Sequence, residues 1–393
     1  MGPMLSALTS LRVGGPAGRI ERVGDGDGES IAEALARIPE RDPSSLLLLG
    51  GGTNVVISDT GFPETVLVLS GGRIEPRDAR ADALELAVDA GVVWDDLVAR
   101  TVEAGATGLE MMSGIAGLVG AAPVQNIGAY GQQVCDVITA VDVIDRLTLE
   151  AHTVLATECG FGFRTSRFKT DWRDRYVIAR VHIAVPLAAA SPPKPSTYVD
   201  IEKYFERNGG DPTAVADRRR AVIATRRTKS MVIDPADPNA QSAGSFFVNP
   251  TVPVELARAL AEQFRTAGMR VQYLEGLDDE PADVQRIPAA HLLRYSGFHP
   301  GDRWGRVKLS DKHVLAIVTR EGATATDVWM VANHIRRQVK AETGVALAYE
   351  PQFIGPFPPF DPVEFERAFV ACSLPATFIS VSAIGTAAAS ATP

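Results

Sequence analysis

A run of three glycines lies between two apolar segments in the N-terminal part of the chain. Residues 45–49 end in four leucines, residues 55–58 are mostly β-branched, and the five residues between them read Gly-Gly-Gly-Thr-Asn. Glycine lacks a Cβ, so the backbone N–H groups of such a loop can approach a phosphate closely. Val55 stands where the dinucleotide fingerprint needs its third glycine, and a strand rather than a helix follows. The loop is a candidate phosphate site, and a simple tight turn is the alternative.

A second glycine-rich segment covers residues 110–131. Its glycines, at positions 114, 117, 120, 128 and 131, alternate with small side chains. A chain of this composition can wrap closely around a large planar ligand that carries a diphosphate. The alternative is a compact glycine-rich crossover inside a core.

Three polar residues further along the chain could carry chemistry. Arg164 stands among phenylalanines, where a guanidinium can hold a carboxylate through two hydrogen bonds. Ser245 lies between a glycine and two phenylalanines, and it lacks the GxSxG elbow of a hydrolase nucleophile. Glu350 directly precedes a proline. The ordinary roles of these residues are a surface ion pair, a turn serine and a solvated carboxylate, so none of them decides a function alone.

A basic group lies between residues 218 and 229. Its members are Arg218, Arg219, Arg220, Arg226, Arg227 and Lys229. A solvated helix face is the ordinary interpretation, and positive charge for the phosphates of a substrate is the alternative.

The elements that must position these residues follow from hydrophobic periodicity. Strands are predicted at 45–49, 55–58, 84–88, 137–144, 176–185, 271–273 and 315–319. Helices are predicted at 31–38, 94–103, 218–227, 253–267, 287–293 and 325–343. An Ala/Ser/Pro-rich stretch at 188–195 divides the chain into two regions. No charged residue occurs from Phe369 onward, which predicts an unstructured tail.

Composition excludes several classes of protein. The 393 residues are 46% hydrophobic and 22% charged, which is typical of a globular protein of two or three domains. Lys and Arg total 39 against 48 Asp and Glu, and this net charge of −9 argues against a nucleic-acid-binding protein. Three scattered cysteines and six histidines without ligand spacing predict neither disulfides nor a metal site. No signal peptide and no membrane span are predicted, so a cytoplasmic location is expected.

Taken together, the motifs and their order resemble the UDP-N-acetylenolpyruvoylglucosamine reductase family. The order is GGGTN, GIAGLVGAAPVQNIGAYG, FGFRTSRFK, SAGSFFVNP and then Glu350 before Phe-Ile-Gly, over about residues 8 to 355. The resemblance implies an α+β fold, with an FAD-binding domain of the vanillyl-alcohol-oxidase (PCMH) type in two subdomains and a separate α+β substrate-binding domain. The expected parts are an FAD-binding domain (8–188), a linker with a substrate-capping loop (189–214), a substrate-binding domain (215–346), a return segment (347–360) and an unstructured tail (361–393).

The resemblance also implies roles for single residues. The implied catalytic positions are Arg164, Ser245 and Glu350. The implied positions around FAD are Gly50, Gly51, Gly52, Thr53, Asn54, Ser113, Gly114, Gly117, Gly120, Gln125, Asn126, Gly128, Ala129 and Tyr130. The implied positions for the UDP-sugar are Tyr198, Lys229 and Asn249, and Tyr198 indicates the subtype with a substrate-capping loop.

The implied reaction uses NADPH, FAD and a UDP-sugar that bears an enolpyruvyl ether. Hydride would add to the terminal vinyl carbon, Arg164 and Glu350 would stabilise the enediolate that develops, and Ser245 would donate the proton. Neither glycine-rich segment contains a histidine, so FAD is expected to be noncovalent. A flavin oxidase and a non-catalytic flavin or nucleotide-sugar binder are the competing interpretations.

Overall fold

A computed structural model describes residues 2–24, 30–77, 80–194, 196–271 and 283–369. Its α-helices are α1 (Ile31–Arg37), α2 (Trp94–Glu103), α3 (Val199–Asn208), α4 (Val215–Thr228), α5 (Val254–Thr266), α6 (Ala289–Tyr295), α7 (Ala325–Thr343) and α8 (Pro362–Phe369). Short 3₁₀ helices also occur, among them Glu110–Met112 and Val119–Ala121.

The strands of the described residues are short and belong to several sheets. In chain order they are β1 (Ala17–Val23), β2 (Leu46–Leu49), β3 (Val55–Ile57), β4 (Phe62–Leu69), β5 (Ile74–Pro76), β6 (Ala83–Asp89), β7 (Gly128–Ala129), β8 (Gln132–Gln133), β9 (Ile138–Asp145), β10 (Ala151–Leu155), β11 (Tyr176–Pro186), β12 (Ser242–Ser245), β13 (Thr251–Pro253), β14 (Val284–Arg286), β15 (Arg303–Trp304), β16 (Val307–Leu309), β17 (Ala316–Thr319) and β18 (Gln352–Ile354).

Two larger sheets form the N-terminal half of the described chain. One is parallel with the order β1-β4-β2, and the other is a five-stranded sheet with the order β10-β9-β11-β6-β5, in which neighbouring strands are antiparallel. The apolar face of α2 packs on the larger sheet, with Trp94 and Leu97 buried against Val141 and Val181. The indole N–H of Trp94 donates to the carbonyl of Met112 at 3.1 Å, which fixes the start of the second glycine-rich segment on this core.

The C-terminal half is built on a four-stranded sheet of order β12-β17-β16-β15, covered by α7. Thr324 and Asp327 form a capping box at the start of α7, and Gly344, with φ of 72°, ends the helix in the left-handed conformation that glycine adopts without strain. Asp59, which follows β3, also accepts from the N–H groups of Ala325 and Thr326 at 2.7 and 2.9 Å. The two halves are therefore joined at the N-terminus of α7.

The last strand returns to the N-terminal half. β18 pairs in parallel with β3, with Phe353 opposite Val56. The adjacent N–H of Gln352 donates to the carbonyl of Asn54 at 3.0 Å. This pairing brings the segment around Glu350 next to the Gly-Gly-Gly-Thr-Asn loop.

Most predicted elements are confirmed. The bounds of α2 and α7 agree with the predicted helices at 94–103 and 325–343. The predicted helix at 287–293 begins two residues later, because Pro288 is the N-cap of α6. The predicted strand at 271–273 lies almost entirely outside the described residues.

Two regions differ from the predictions. The segment 189–214, expected to be a linker and loop, contains the helix α3. The tail expected from residue 361 begins instead with α8, in which Phe365 and Phe369 are buried. These two aromatics are four residues apart and so share one face, and the ring of Phe365 stacks on His334 of α7 with centroids 4.3 Å apart. The prediction of an unstructured segment is therefore wrong for residues 362–369, and residues 370–393 lie outside the described residues.

Candidate functional site

The two glycine-rich segments meet at one surface. Gly51 lies against Gly117, where a Cβ built on Gly51 would stand 3.3 Å from the Gly117 Cα. The Thr53 hydroxyl donates to the carbonyl of Ala116 at 3.2 Å, and the side-chain amide of Asn54 donates to Gln125 at 3.0 Å. Together these contacts form a narrow cradle of backbone and small side chains between the loop after β2 and residues 113–125.

Several predicted cofactor residues are required by the fold itself, through the missing Cβ of a glycine or the hydroxyl of a serine. Gly52 has φ of 61°, and a Cβ there would be 1.8 Å from the carbonyl of Leu8. The hydroxyl of buried Ser113 donates to the carbonyl of Glu110 at 2.6 Å, and a Cβ on Gly120 would lie 2.5 Å from the Ala90 Cβ. These residues shape the cradle.

Asn126 connects the second glycine-rich segment to the loop that carries Arg164. It is buried, has φ of 46°, and its side-chain amide donates to Gln133 and to the carbonyl of Gly162 at 3.1 and 3.0 Å. Two residues later, Gly128 and Ala129 form β7, which pairs with β8 in a small hairpin. Asn126 is therefore a joint between the predicted FAD segment and the predicted catalytic arginine.

Arg164 lies at the tip of a tight turn, directly over this hairpin. Its guanidinium donates to the carbonyl of Gly128 at 2.6 Å and to that of Asn126 at 3.4 Å. Its Nε lies 3.7 Å from the Oε1 atom of Glu350. The structure thus brings together two of the three predicted catalytic residues, from segments 186 positions apart in the sequence.

Ser245 and Glu350 belong to neighbouring strand-like segments. The N–H of Glu350 donates to the carbonyl of Phe246 at 3.0 Å, and Phe247 is bridged to Tyr349. The buried rings of Phe246 and Phe247 pack with Tyr349, so the apolar residues around both polar groups form one cluster. The backbone segment that carries Ser245 therefore lies beside the segment that carries Glu350.

Burial shifts the carboxyl group of Glu350 towards its protonated form. Burial raises the pKa of Glu350 above its ordinary value, and this effect outweighs the opposing influence of Arg164 and Lys169. A protonated carboxyl group can donate a hydrogen bond, whereas a carboxylate can only accept.

The predicted substrate residues have different surroundings. Tyr198 packs edge-on against Tyr130 with ring centroids 5.6 Å apart, and burial raises its pKa. Lys229, at the end of α4, lies 2.5 Å from a carboxylate oxygen of Asp200 in α3. Asn249 accepts from the N–H of Ala289 at 2.8 Å, which fixes the first turn of α6. Tyr198 thus lies beside Tyr130 of the second glycine-rich segment, while the ammonium of Lys229 and the side-chain oxygen of Asn249 already have partners in the protein.

Part of the basic group of α4 points inward: Arg218 is buried and Arg219 is half-buried, whereas Arg220 and Arg227 are exposed, so the interpretation as a solvated face holds only for the exposed members. Buried Arg218 pairs with Glu110 at 2.8 Å, and Arg219 forms a bidentate pair with Asp95 at 2.7 and 2.8 Å. The same Asp95 accepts from the N–H of Gly114 at 2.7 Å. The expected substrate-binding domain therefore contacts the second glycine-rich segment through ion pairs.

Arg226 is a candidate that sequence reasoning did not separate from its basic neighbours. One terminal nitrogen donates to the carbonyl of Met231 at 2.8 Å, whereas its buried Nε has no hydrogen-bond partner among the described residues. A Cβ on Gly114 would lie 3.6 Å from this Nε. The available signal was spacing: Arg219 and Arg226 are seven residues apart, which places both on one helix face.

Lys169 is a second missed residue. Its ammonium donates to the backbone carbonyl of Arg164 at 3.1 Å. It belongs to the motif that carries Arg164, but nothing in the sequence pattern around it distinguishes it from a surface lysine.

None of the helices in the described part of the chain has the length and apolar content of a membrane span. No group of three His, Cys, Asp or Glu side chains is arranged to hold a metal ion, again counting only described residues.

Comparisons with known proteins identify the fold and the family. Residues 27–147 match the model of an FAD binding domain, and residues 235–354 match that of the UDP-N-acetylenolpyruvoylglucosamine reductase C-terminal domain. A solved UDP-N-acetylenolpyruvylglucosamine reductase from Thermus caldophilus has the same fold, with a TM-score of 0.59 at 24% identity over 90% of this chain and 98% of that one. The expected fold, an FAD-binding domain with a separate substrate-binding domain, is confirmed.

Curated relatives extend over nearly the whole chain. The UDP-N-acetylenolpyruvoylglucosamine reductase of Thermobifida fusca is 38% identical over 357 residues, covering 89% of this chain and 96% of the relative. That of Saccharopolyspora erythraea is 40% identical over 363 residues, covering 90% and 95%. This chain therefore belongs to the UDP-N-acetylenolpyruvoylglucosamine reductase family of FAD-dependent oxidoreductases.

Proposed function

We propose that the protein reduces the enolpyruvyl group of UDP-N-acetyl-3-O-(1-carboxyvinyl)-glucosamine to give UDP-N-acetylmuramate, a precursor of peptidoglycan. NADPH is the reductant, and the reaction takes place in the cytoplasm. One hydride and one proton add across the carbon–carbon double bond, while NADPH becomes NADP⁺. Support comes from the names of the relatives, which are reductases of this class of substrate, and from the arrangement of Arg164 and Glu350.

The residues present fit FAD. The cradle is tight between Gly51 and Gly117: a Cβ on Gly51 would stand 3.3 Å from the Gly117 Cα, and Gly117 has φ of 133°, which favours glycine, as expected where backbone approaches a ligand. The unpartnered Nε of Arg226 beside Gly114 is a donor suited to a diphosphate oxygen. When bound, FAD supplies the hydride for the terminal vinyl carbon.

Arg164 and Glu350 stabilise the charge that develops on the substrate. Addition of hydride leaves negative charge on the carbon that bears the carboxylate, and an enediolate is very unfavourable without positive or proton-donating groups nearby. The guanidinium supplies the positive charge, and Glu350, whose pKa is raised by burial, donates a hydrogen bond in its protonated form.

Ser245 donates the proton to that carbon. It is half-buried at the end of β12, and the adjacent Phe246 and Phe247 are fully enclosed. A fixed donor on one side of a planar carbon gives a single stereochemical product. Tyr198, which packs against Tyr130, covers the sugar of the substrate. Lys229 and Asn249 hold the nucleotide part of the substrate. For this, Lys229 leaves Asp200 and pairs with a phosphate when the substrate binds.

The single observation that carries the proposal is the 3.7 Å approach of Arg164 to Glu350 beside the glycine cradle. The test follows NADPH absorbance with purified, FAD-containing protein under anaerobic conditions. NADPH should be oxidised when the enolpyruvyl sugar is added, but not with UDP-N-acetylglucosamine as the control. In a parallel aerobic assay, sugar-independent oxidation that requires dioxygen would identify a flavin oxidase, and the absence of any oxidation in both assays would indicate a binding protein.

A further inference from the structure

The turn that carries Arg164 has an unusual backbone. Gly162 and Thr165 exchange backbone hydrogen bonds at 3.0 and 3.3 Å, with Phe163 and Arg164 at the tip. Arg164 has φ of 53°, in the left-handed region that residues other than glycine rarely adopt. Such a conformation persists only where surrounding contacts hold it.

The base of the turn and its tip are held by different contacts. At the base, the hydroxyl of buried Ser166 donates to the carbonyl of Val124 at 2.7 Å and accepts from the N–H of Phe168. At the tip, the ammonium of Lys169 donates to the carbonyl of Arg164 at 3.1 Å. Lys169 therefore fixes the peptide group next to the catalytic guanidinium.

Lys169 also adds charge to the site. Burial lowers the pKa of Lys169, and its charge interacts favourably with the ionised form of Glu350 and unfavourably with Arg164 and Arg173. Glu350 in turn interacts with two cations, Arg164 and Lys169. A substrate carboxylate that gains a second negative charge would thus meet two positive charges, only one of which belongs to the implied catalytic trio.

We propose that Lys169 is a positioning residue for the reaction: it holds Arg164 in its left-handed conformation and supplies the second positive charge beside Glu350. This inference rests on the proposed function. The side chain acts through Arg164 and through its electrostatic field, and no contact with the substrate is required of it.

The test compares Lys169→Met, which removes the ammonium at similar length, with Lys169→Arg, which keeps a positive donor. Flavin reduction by NADPH and flavin reoxidation by the enolpyruvyl sugar are measured separately by stopped flow. Reoxidation should fall about 10²-fold in K169M, the usual effect of misplacing a reacting group by about 1 Å. Reduction by NADPH and FAD content should remain within about threefold of wild type, and K169R should recover most of the loss.

The matched control is Arg167→Met in the same turn. The Arg167 guanidinium lies over the ring of Trp172, 4.1 Å from its centroid, and donates to the carbonyl of Glu158 rather than to Arg164. Its loss should leave both half-reactions within about twofold. Lys169→Gln is made in parallel, since a polar side chain suits a half-buried position if methionine impairs folding.

The pH dependence of flavin reoxidation distinguishes an electrostatic role of Lys169 from a merely structural one. Removing a cation raises the pKa of a neighbouring carboxyl group, so Glu350 stays protonated to higher pH in K169M, with Arg164 as its remaining charged neighbour. The alkaline fall of the reoxidation rate should therefore move to higher pH in K169M and stay unchanged in R167M. An unshifted fall, equal losses in both half-reactions, or full activity of K169M overturns the inference while leaving the proposed function intact. Wild-type protein that does not reduce the sugar overturns both.

Discussion

Ser245 is the residue on which the proposed proton transfer depends. Ser245→Ala should leave FAD binding and flavin reduction by NADPH nearly unchanged, because the hydroxyl acts only on the substrate carbon. Reoxidation by the enolpyruvyl sugar should fall roughly 10²–10⁴-fold, the usual effect of losing a positioned acid or base. Ser245→Cys should keep part of the activity, since a thiol can also donate a proton.

Ser242→Ala is the matched control for this prediction. Ser242 belongs to the same strand, and its hydroxyl accepts from the N–H of Gly244 at 3.3 Å. Stopped-flow measurement should show near-normal reoxidation for this variant. If S245A reoxidises at the wild-type rate, Ser245 is a packing residue and another group must supply the proton.

Glu350 should give the reaction its alkaline limit. Burial raises the pKa of this carboxyl group, so the donating, protonated form is present below the raised pKa and is lost as pH rises through it. The wild-type reoxidation rate should therefore decline at high pH. Glu350→Gln keeps a hydrogen-bond donor, but an amide is a weaker donor than a carboxyl group, so reoxidation should be about tenfold slower or more. Because the amide does not titrate, the decline at high pH should be absent. A decline that persists in E350Q would belong to a different group.

At the scale of elements, α8 is a packed part of the protein. Phe365 is 4% exposed and stacks on His334, and Phe369 lies against Gly305. Phe365→Ala should therefore lower the free energy of unfolding by about 3 kcal/mol, near the lower end for a buried phenylalanine. Truncation after residue 360 should lower the melting temperature at least as much.

Glu366→Ala, on the exposed side of α8, is the control and should change stability by no more than about 0.5 kcal/mol. Thermal unfolding of the FAD-loaded protein is the measurement. Equal melting temperatures for the truncated and full chains would show that α8 contributes no stability.

At the scale of the whole molecule, the predicted cofactor site is assembled from segments far apart in sequence. The cradle joins the loop after β2 to residues 113–125, and α4 adds Arg226 from the other half of the chain. Since neither glycine-rich segment contains a histidine, FAD should be noncovalent. Heat or acid denaturation should release all the yellow colour into the supernatant, as judged by its absorbance, whereas a covalent flavoprotein treated in parallel keeps colour in the pellet. Colour that stays with the precipitated chain would contradict noncovalent binding.

Local signals were enough to predict much of the fold. The bounds of α2 and α7 follow from helical periodicity, and for α7 also from the capping pair Thr324 and Asp327, all of which act within a few residues. The order of the motifs was likewise sufficient to indicate the family. α8 was missed because its apolar face consists of only two residues, Phe365 and Phe369. The surfaces that bury them, at His334 and Gly305, come from distant parts of the sequence.

The chemistry of the site was decided by tertiary structure. Sequence alone indicated Arg164, Ser245 and Glu350 as residue types in order. Tertiary pairing of β18 with β3, and of Glu350 with Phe246, then brought the segments of Ser245 and Glu350 side by side. The same packing turned Arg226 from one of several basic residues into a buried donor, and tied Asn249 to α6. The physical reason is that burial and charge pairing depend on neighbours distant in the chain. These neighbours set the pKa of a carboxyl group and decide which N–H groups of a guanidinium have hydrogen-bond partners.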